Sequence, residues 1–260
     1  MHHARSGIQN THWGDGPKWR NFPGLKDVET LEQFFKNRGY KTLGAGKIYH
    51  SQAPPWAPTS QIEPENWDFY YPSKFISHPY QIRAPKEVIY PKEVDNKGRP
   101  GDRDGTGESS WWTWGPIPVS DEKMADYHIV DWAKYQLELK HEKPFFLAVG
   151  TWKPHDPWEV PQKYFDLYPM KDVVLPTYRK NDLEDSFDHG RRWIQQWVEE
   201  NKQWKKIIQS YAAAISFSDA MIGRLIDKIK NSSYANNTII VLWSDHGMHM
   251  GEKENIEKFT

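Results

Sequence analysis

Residues 144–158 read PFFLAVGTWKPHDPW, an apolar run that gives way after a glycine to charged and polar residues. The run at 144–150 lacks the apolar–polar alternation of a half-exposed strand and is typical of a strand covered on both faces. A second run of the same character, TIIVLW at 238–243, is followed directly by SDHG. Both patterns predict interior strands of a parallel sheet. Polar side chains would then stand at the carboxyl ends of the strands, where sites form in α/β proteins.

Helical patterns alternate with these runs along the chain. Apolar residues recur at helical spacing over 27–38, from 120 to about 137, and over 203–230, and a short strand is predicted at 40–43. Helices alternating with continuously apolar strands favour an α/β fold, with a largely parallel sheet sandwiched by helices. The residues predicted to face the core on the last helix are Ile208, Tyr211, Ile215, Ile222, Leu225 and Ile229.

Residues 51–120 break this alternation. They are rich in proline, glycine and aromatic residues and show no sustained period. Because a stretch of this length without regular elements is usually a functional loop system or an insertion, we predict a loop-rich insertion here. The 14 Trp and 13 Tyr residues of the chain either pack in the core and loops or stack on sugar rings, and the WWTW run at 111–114 keeps the second interpretation open.

Composition excludes several classes of protein. The 34 Lys and Arg residues balance 35 Asp and Glu residues, which leaves a net charge of −1 and no broad field for nucleic acid or anionic lipid. Cysteine is absent, so disulfides, thiolate nucleophiles and cysteine zinc sites are excluded. No apolar stretch reaches the roughly 20 residues that span a bilayer, and no signal-peptide pattern is visible. We therefore predict neither a nucleic-acid partner nor a membrane partner.

Polar side chains that could carry chemistry follow the core elements at three places. They are GAGKIYHSQ at 44–52, KPHDPW at 153–158 and SDHGMHMGEKENIEKFT at 244–260. The first is not a phosphate loop, because Ile48 follows Lys47 where that motif needs Ser or Thr. Taken singly, each stretch has an ordinary interpretation. Lys47 would be a solvated lysine, His155 a loop histidine and Asp245 an aspartate that caps a helix or a turn.

Taken together, the three stretches resemble the sulfatase family, and within it the branch of iduronate-2-sulfatase and its bacterial relatives. GYKTLGAGKIYH at 39–50 resembles the signature Gly-Tyr-x-Thr-x-x-x-Gly-Lys-x-x-His. KPFFLAVGTWKPHDPW at 143–158 resembles the strand and Lys-Pro-His loop of that branch, and 236–260 resembles its Asp-His-Gly metal segment. The resemblance covers most of residues 20–260 and implies an alkaline-phosphatase-like fold.

The resemblance also implies a reaction, the hydrolysis of sulfate monoesters on sulfated carbohydrate. The implied nucleophile is a formylglycine made from the first residue of a Cys/Ser-x-Pro/Ala-x-Arg signature, and the implied cofactor is a divalent metal, most often calcium. A metal and lysines suit this chemistry, because the transition state carries diffuse negative charge and the leaving oxygen needs a proton. The implied catalytic residues are Lys47, His50, His155 and Lys258, and the implied metal ligands are Asp245 and His246.

The individual roles follow from the same resemblance. Lys47 would hold the oxygen of the nucleophile, and His50 would help the covalent sulfate intermediate to collapse. His155 and Lys258 would contact the sulfate, one of them near the leaving oxygen. His246 is a softer ligand than calcium prefers, since calcium favours oxygen. Two further residues, Lys153 and His249, receive no role.

The sequence departs from the family in one respect. It has no cysteine and no serine in the modification signature, so the nucleophile is expected upstream of residue 1. The expectation is therefore a partial catalytic domain over 1–260, incomplete at both termini and without the smaller C-terminal subdomain. A periplasmic, secreted or lysosomal location is expected for the full-length family.

Two alternatives stay open. One is a related metal-dependent phosphatase or phosphodiesterase, and the other is a non-catalytic, aromatic-rich sugar-binding relic of the fold.

Overall fold

The computed structural model describes residues 19–49, 63–71, 112–177, 179, 182–184 and 192–258. Its α-helices are α1 (Leu31–Asn37), α2 (Ala125–Gln136), α3 (Gln162–Phe165), α4 (Arg192–Glu200) and α5 (Trp204–Lys230). Its strands are β1 (Lys41–Gly46), β2 (Phe69–Tyr71), β3 (Trp114–Ile117), β4 (Phe145–Gly150), β5 (Trp158–Pro161), β6 (His249–Met250) and β7 (Ile256–Glu257). Short 3-10 helices lie at Trp19–Asn21, Pro23–Leu25, Pro64–Asn66, Asp121–Lys123, Met170–Asp172 and Glu252–Glu254.

The chain divides into two compact units, and the first contains the principal sheet. This unit draws on Met1–Pro85, Asp121–Trp152 and Ala220–Asn236. Its strands lie in the order β2-β1-β4, and both pairings are parallel. Helices α1 and α2 pack against β1. Parallel strands joined through a helix confirm the α/β class that the alternating pattern predicts.

Helix α1 begins three residues later than its apolar pattern suggests. Thr30 caps it: the Gln33 amide donates to the Thr30 hydroxyl over 3.3 Å, and the Thr30 amide donates to the Gln33 side chain over 3.3 Å. Such a capping box satisfies two amides that have no partner inside the helix. The helix ends at Asn37, and Gly39 just beyond the C-cap residue Arg38 has φ +82°, a conformation that favours glycine after a helix.

The apolar run at 144–150 forms β4, and side chains pack on both of its faces, but none of its residues is fully buried. Residues 145–150 are all half-buried. The reason is the position of β4 at one end of the order β2-β1-β4. Phe146 packs on one face by stacking on Phe35 with ring centroids 4.7 Å apart. Phe145, on the other face, meets Tyr234 edge-on with ring centroids 5.0 Å apart. The sequence pattern therefore predicted the strand and its two packed faces correctly and overestimated their burial.

The strand predicted over 238–243 does not form among the described residues. This segment belongs to none of the described sheets, and Ile239 is 91% exposed while Trp243 is 70% exposed. An apolar run becomes an interior strand only where a neighbouring backbone supplies ladder hydrogen bonds and another layer covers its side chains. The composition of a run carries no information about that neighbour. The prediction that Asp245 and His246 stand at the end of a central strand is therefore wrong for this structure.

The long helix α5 forms over nearly the predicted range, but the predicted stripe is only partly buried: Ile229 is buried as predicted, whereas other members are not. Ile215, predicted to face inward, is 44% exposed, whereas Phe217 and Met221 are fully buried. In the second unit Phe217 meets Tyr164 of α3 edge-on, with ring centroids 5.4 Å apart. Apolar residues occupy two adjacent faces of this helix, so the packing partner and not the period selects the buried one.

The second unit contains a buried group of tryptophans. This unit draws on Lys86–Ser120, Lys153–Asp219 and Asn237–Thr260, with β3 parallel to β5 and β6 antiparallel to β7. Trp112 and Trp158 are almost fully buried, Trp114 is buried, and the Trp112 ring lies 5.0 Å from that of Trp114. Buried rings cannot stack on a sugar, so the packing interpretation of Trp112 and Trp114 is confirmed. Trp111 lies outside the described residues, as does most of the predicted insertion at 51–120.

Gly46 gives the first testable prediction, on stability. It ends β1 with φ +75°, and a Cβ at this position would collide with the carbonyl oxygen of Gly150 on β4. Gly46→Ala is therefore expected to lower the free energy of unfolding by about 2–4 kcal/mol in urea titrations. The matched control is Gly223→Ala in α5, where nothing lies within 4 Å of an added Cβ. Equal stability of the two variants would contradict the packing at Gly46.

No helix in the described part of the chain combines the length and apolar character needed to cross a bilayer.

Candidate active site

A histidine and a lysine meet in the second unit. His155 lies in the loop that follows β4, and Lys258 directly follows β7. The hairpin of β6 and β7 directs Lys258 back, so that its Nζ is 2.9 Å from Nε2 of His155. Both side chains are half-buried. Lys258 was predicted to turn toward the site and meet an anion or a carboxylate; here it contacts an imidazole, and its role at the site stays a prediction.

The other ring nitrogen of His155 faces Asp156. Nδ1 lies 2.7 Å from the carbonyl oxygen of Asp156 and 3.0 Å from its Oδ1. The Asp156 side chain is buried, and burial raises the pKa of its carboxyl. The hydrogen bond with His155 and the positive charges of Lys258 and Lys153 outweigh that effect and hold the pKa below its ordinary value. Asp156 is therefore a carboxylate at neutral pH.

The Lys153 side chain lies buried inside the loop that carries His155. It is 3% exposed, and its ammonium donates to the carbonyl oxygen of Pro157. Its own carbonyl accepts a hydrogen bond of 2.9 Å from the Ser218 hydroxyl on α5. The Trp158 indole donates to the carbonyl of Pro154 over 2.9 Å. These bonds attach the loop to a helix and to a strand, and a site held on rigid elements keeps its geometry.

The two predicted metal ligands lie in an open segment. The side chains of Asp245 and His246 are 80% and 45% exposed, and Oδ2 of the first is 3.4 Å from Nε2 of the second. Nδ1 of His246 is 2.9 Å from the carbonyl of Gly247. In the described ranges no three His, Asp or Glu side chains are grouped so that they could hold a metal ion. Calcium takes six to eight oxygens, so these described residues do not by themselves build its site.

Lys47 lies in the first unit, just beyond β1. Its ammonium is 5.0 Å from the centroid of the Trp152 ring, and its backbone amide donates to Gly150 over 2.8 Å. Tyr49, two residues on, donates to the buried carboxylate of Glu32 over 2.6 Å. His50 lies outside the described residues. The predicted convergence of Lys47 and His50 on the other site residues therefore stays a prediction.

His249, which the sequence left without a role, opens β6 opposite Glu257 and is half-buried. Asp156 was missed by sequence reasoning altogether, although a signal was present. It directly follows His155, and a carboxylate beside a histidine is a common way to orient an imidazole.

Comparisons with known proteins place these features in a family. The sequence model of the family described as Sulfatase matches residues 2–259. A protein named sulfatase from Formosa agariphila is 36% identical over 245 residues, which are 90% of this chain and 44% of that protein. Human iduronate 2-sulfatase is 28% identical over 273 residues, covering 93% of this chain and 44% of its own length. The chain thus spans less than half of the length of these relatives.

A solved structure supports the fold. The structure of a protein in complex with its substrate, D-glucosamine-2-N,6-O-disulfate, matches with a TM-score of 0.50 over 98% of this chain and 55% of that chain. The identity is 17%, so this likeness concerns the fold alone. It agrees with the alkaline-phosphatase-like α/β fold that the resemblance implied. Since the family match extends over nearly all of its residues, the chain belongs to the sulfatase family, whose members are sulfuric ester hydrolases.

Proposed function

We propose that the protein containing this chain hydrolyses sulfate monoesters on carbohydrate. The observation that carries the proposal is the contact of 2.9 Å between Lys258 Nζ and His155 Nε2, beside the buried carboxylate of Asp156. An ammonium stabilises the charge that develops on a departing sulfate ester, and it can also supply a proton. Lys258 could therefore carry out both tasks that hydrolysis requires of side chains, which are stabilising the developing charge and supplying the proton.

The proposed nucleophile is a formylglycine from a segment outside these 260 residues, which contain no cysteine. The proposed metal is calcium, to which Asp245 would contribute an oxygen and His246 a nitrogen. Bound calcium would neutralise charge on the sulfate oxygens. Because the described ligands do not complete such a site, further oxygens are proposed to come from the same outside segment. Lys47 and His50 are proposed to act at the nucleophile.

The carbohydrate part of the proposal rests on relatives. The matched solved structure contains a sulfated glucosamine as substrate, and one relative is named for the sulfate of an iduronate. By analogy we propose a sulfated sugar as the substrate class here. The resemblance likewise supports a periplasmic, secreted or lysosomal location for the full-length protein.

The test compares ester classes in an extended protein that contains the modification signature. We expect hydrolysis of 4-nitrophenyl sulfate and sulfated glucosamine with a kcat/KM about 10²-fold or more above that for 4-nitrophenyl phosphate. Calcium chelation should abolish this turnover. A preference for phosphate would favour the phosphatase alternative. Sugar binding by calorimetry without turnover of any ester would favour the sugar-binding relic.

A further inference from the structure

Three side chains of the second unit form a continuous chain of polar contacts. Lys258 Nζ is 2.9 Å from His155 Nε2, and Nδ1 of the same ring is 3.0 Å from Oδ1 of Asp156. The carboxylate is buried and the other two groups are half-buried. Among the contacts of the described residues, Lys258 faces one side of the imidazole and Asp156 the other, and Lys153 also acts on Asp156.

The chemistry of these groups assigns the protons. A lysine ammonium donates hydrogen bonds and accepts none. Its contact with Nε2 is therefore favourable only if Nε2 presents a lone pair, and the ring proton must then be on Nδ1. Nδ1 faces two acceptors, the carboxylate and the carbonyl oxygen of Asp156. A proton on Nε2 would instead place two donors against each other and leave a buried carboxylate without that hydrogen bond, which costs stability.

We infer that Asp156 is a positioning residue that holds His155 as its neutral Nδ1–H tautomer, so that Lys258 carries the proton for the leaving oxygen. The inference deepens the proposed sulfate ester hydrolysis and rests on it. When the nucleophile bonds to sulfur and the bond to the leaving oxygen breaks, the electron pair stays on that oxygen. The oxygen takes a proton from Lys258 Nζ, which becomes a neutral amine. His155 orients that amine through its Nε2 lone pair.

Spectroscopy on the protein tests the tautomer without any substrate. In long-range proton–nitrogen correlation spectra of the labelled 260-residue chain at neutral pH, we expect a protonated Nδ1 and an unprotonated Nε2 for His155. The ring-nitrogen signals of His155 are identified as those missing from the spectrum of the His155→Gln variant. A protonated Nε2 in the wild-type chain would overturn the inference, and this readout stands even if a variant fails to fold.

The Asp156→Asn variant tests the cause. It keeps a polar side chain of the same size but removes the charge. Because the backbone carbonyl oxygen of residue 156 still accepts from Nδ1 and Lys258 still faces Nε2, we expect a partial shift of the His155 signals toward the Nε2–H form. The matched control is Asp166→Asn, because Asp166 is an exposed carboxylate that accepts from Gln162 over 2.8 Å. Its spectrum should equal the wild type. An unchanged tautomer in folded Asp156→Asn would show that Asp156 does not set it.

Kinetics separate this inference from the proposed function. In the extended protein, Asp156→Asn is expected to lower kcat for a sulfate ester by about 10²- to 10⁴-fold, with little change in KM. A wild-type kcat in this variant would overturn the positioning role while leaving sulfatase activity in place. If the extended wild-type protein shows no sulfatase activity but its tautomer is as stated, the proposed function fails and the assigned proton positions remain.

Discussion

The 260 residues on their own are expected to give no turnover of an aryl sulfate, even with calcium present. The proposed reaction needs a nucleophile, and the chain contains no cysteine and no serine in the modification signature. Charge stabilisation and a proton donor cannot replace the missing covalent step. The rate enhancement of at least about 10⁶ that is usual for enzymes should therefore be absent.

The measurement compares the purified chain with the extended protein under identical conditions, using 4-nitrophenyl sulfate. Calcium binding by calorimetry gives a second readout. The 260 residues should bind calcium weakly, because Asp245 and His246 are exposed and no third ligand is grouped with them in the described ranges. Turnover by the short chain equal to that of the extended protein would contradict the formylglycine proposal.

Lys258→Ala in the extended protein is expected to lower kcat for a sulfate ester by about 10²- to 10⁴-fold. The change removes the positive charge that is proposed to lie beside the sulfate and the group that is proposed to supply the proton, and it removes the Lys258 Nζ contact of 2.9 Å from His155 Nε2. Lys205→Ala, at an exposed position on α5, is the matched control and should leave kcat unchanged.

Lys258→Arg distinguishes charge from proton transfer. Arginine keeps the positive charge, but its guanidinium does not release a proton at accessible pH. We expect this variant to stay slow while it retains much of the affinity for sulfate, measured as the inhibition constant of inorganic sulfate. Recovery of the wild-type kcat with arginine would assign Lys258 to charge stabilisation alone.

The local signals in the sequence predicted several elements correctly. The glycine at position 39 marked the end of α1, the apolar run at 144–150 marked β4, and the period of α5 marked its extent. These features depend on neighbours in the chain: a glycine accepts positive φ at no steric cost, and a period of 3.6 residues is a local property. The three separated stretches indicated the sulfatase family for a similar reason, since residue types and spacing are written in the sequence itself.

Burial and contacts between distant segments depended on the tertiary structure. Residues 239–243 are as apolar as β4 but remain exposed, because a strand requires a partner that its own sequence does not specify. Lys258 and His155 are separated by 103 positions, and only the path of the β6–β7 hairpin places the lysine on the His155 ring. The sequence by itself thus determined the family, the α/β class and the candidate residues. The tertiary structure decided which side chains meet, because hydrogen bonds form between groups adjacent in space.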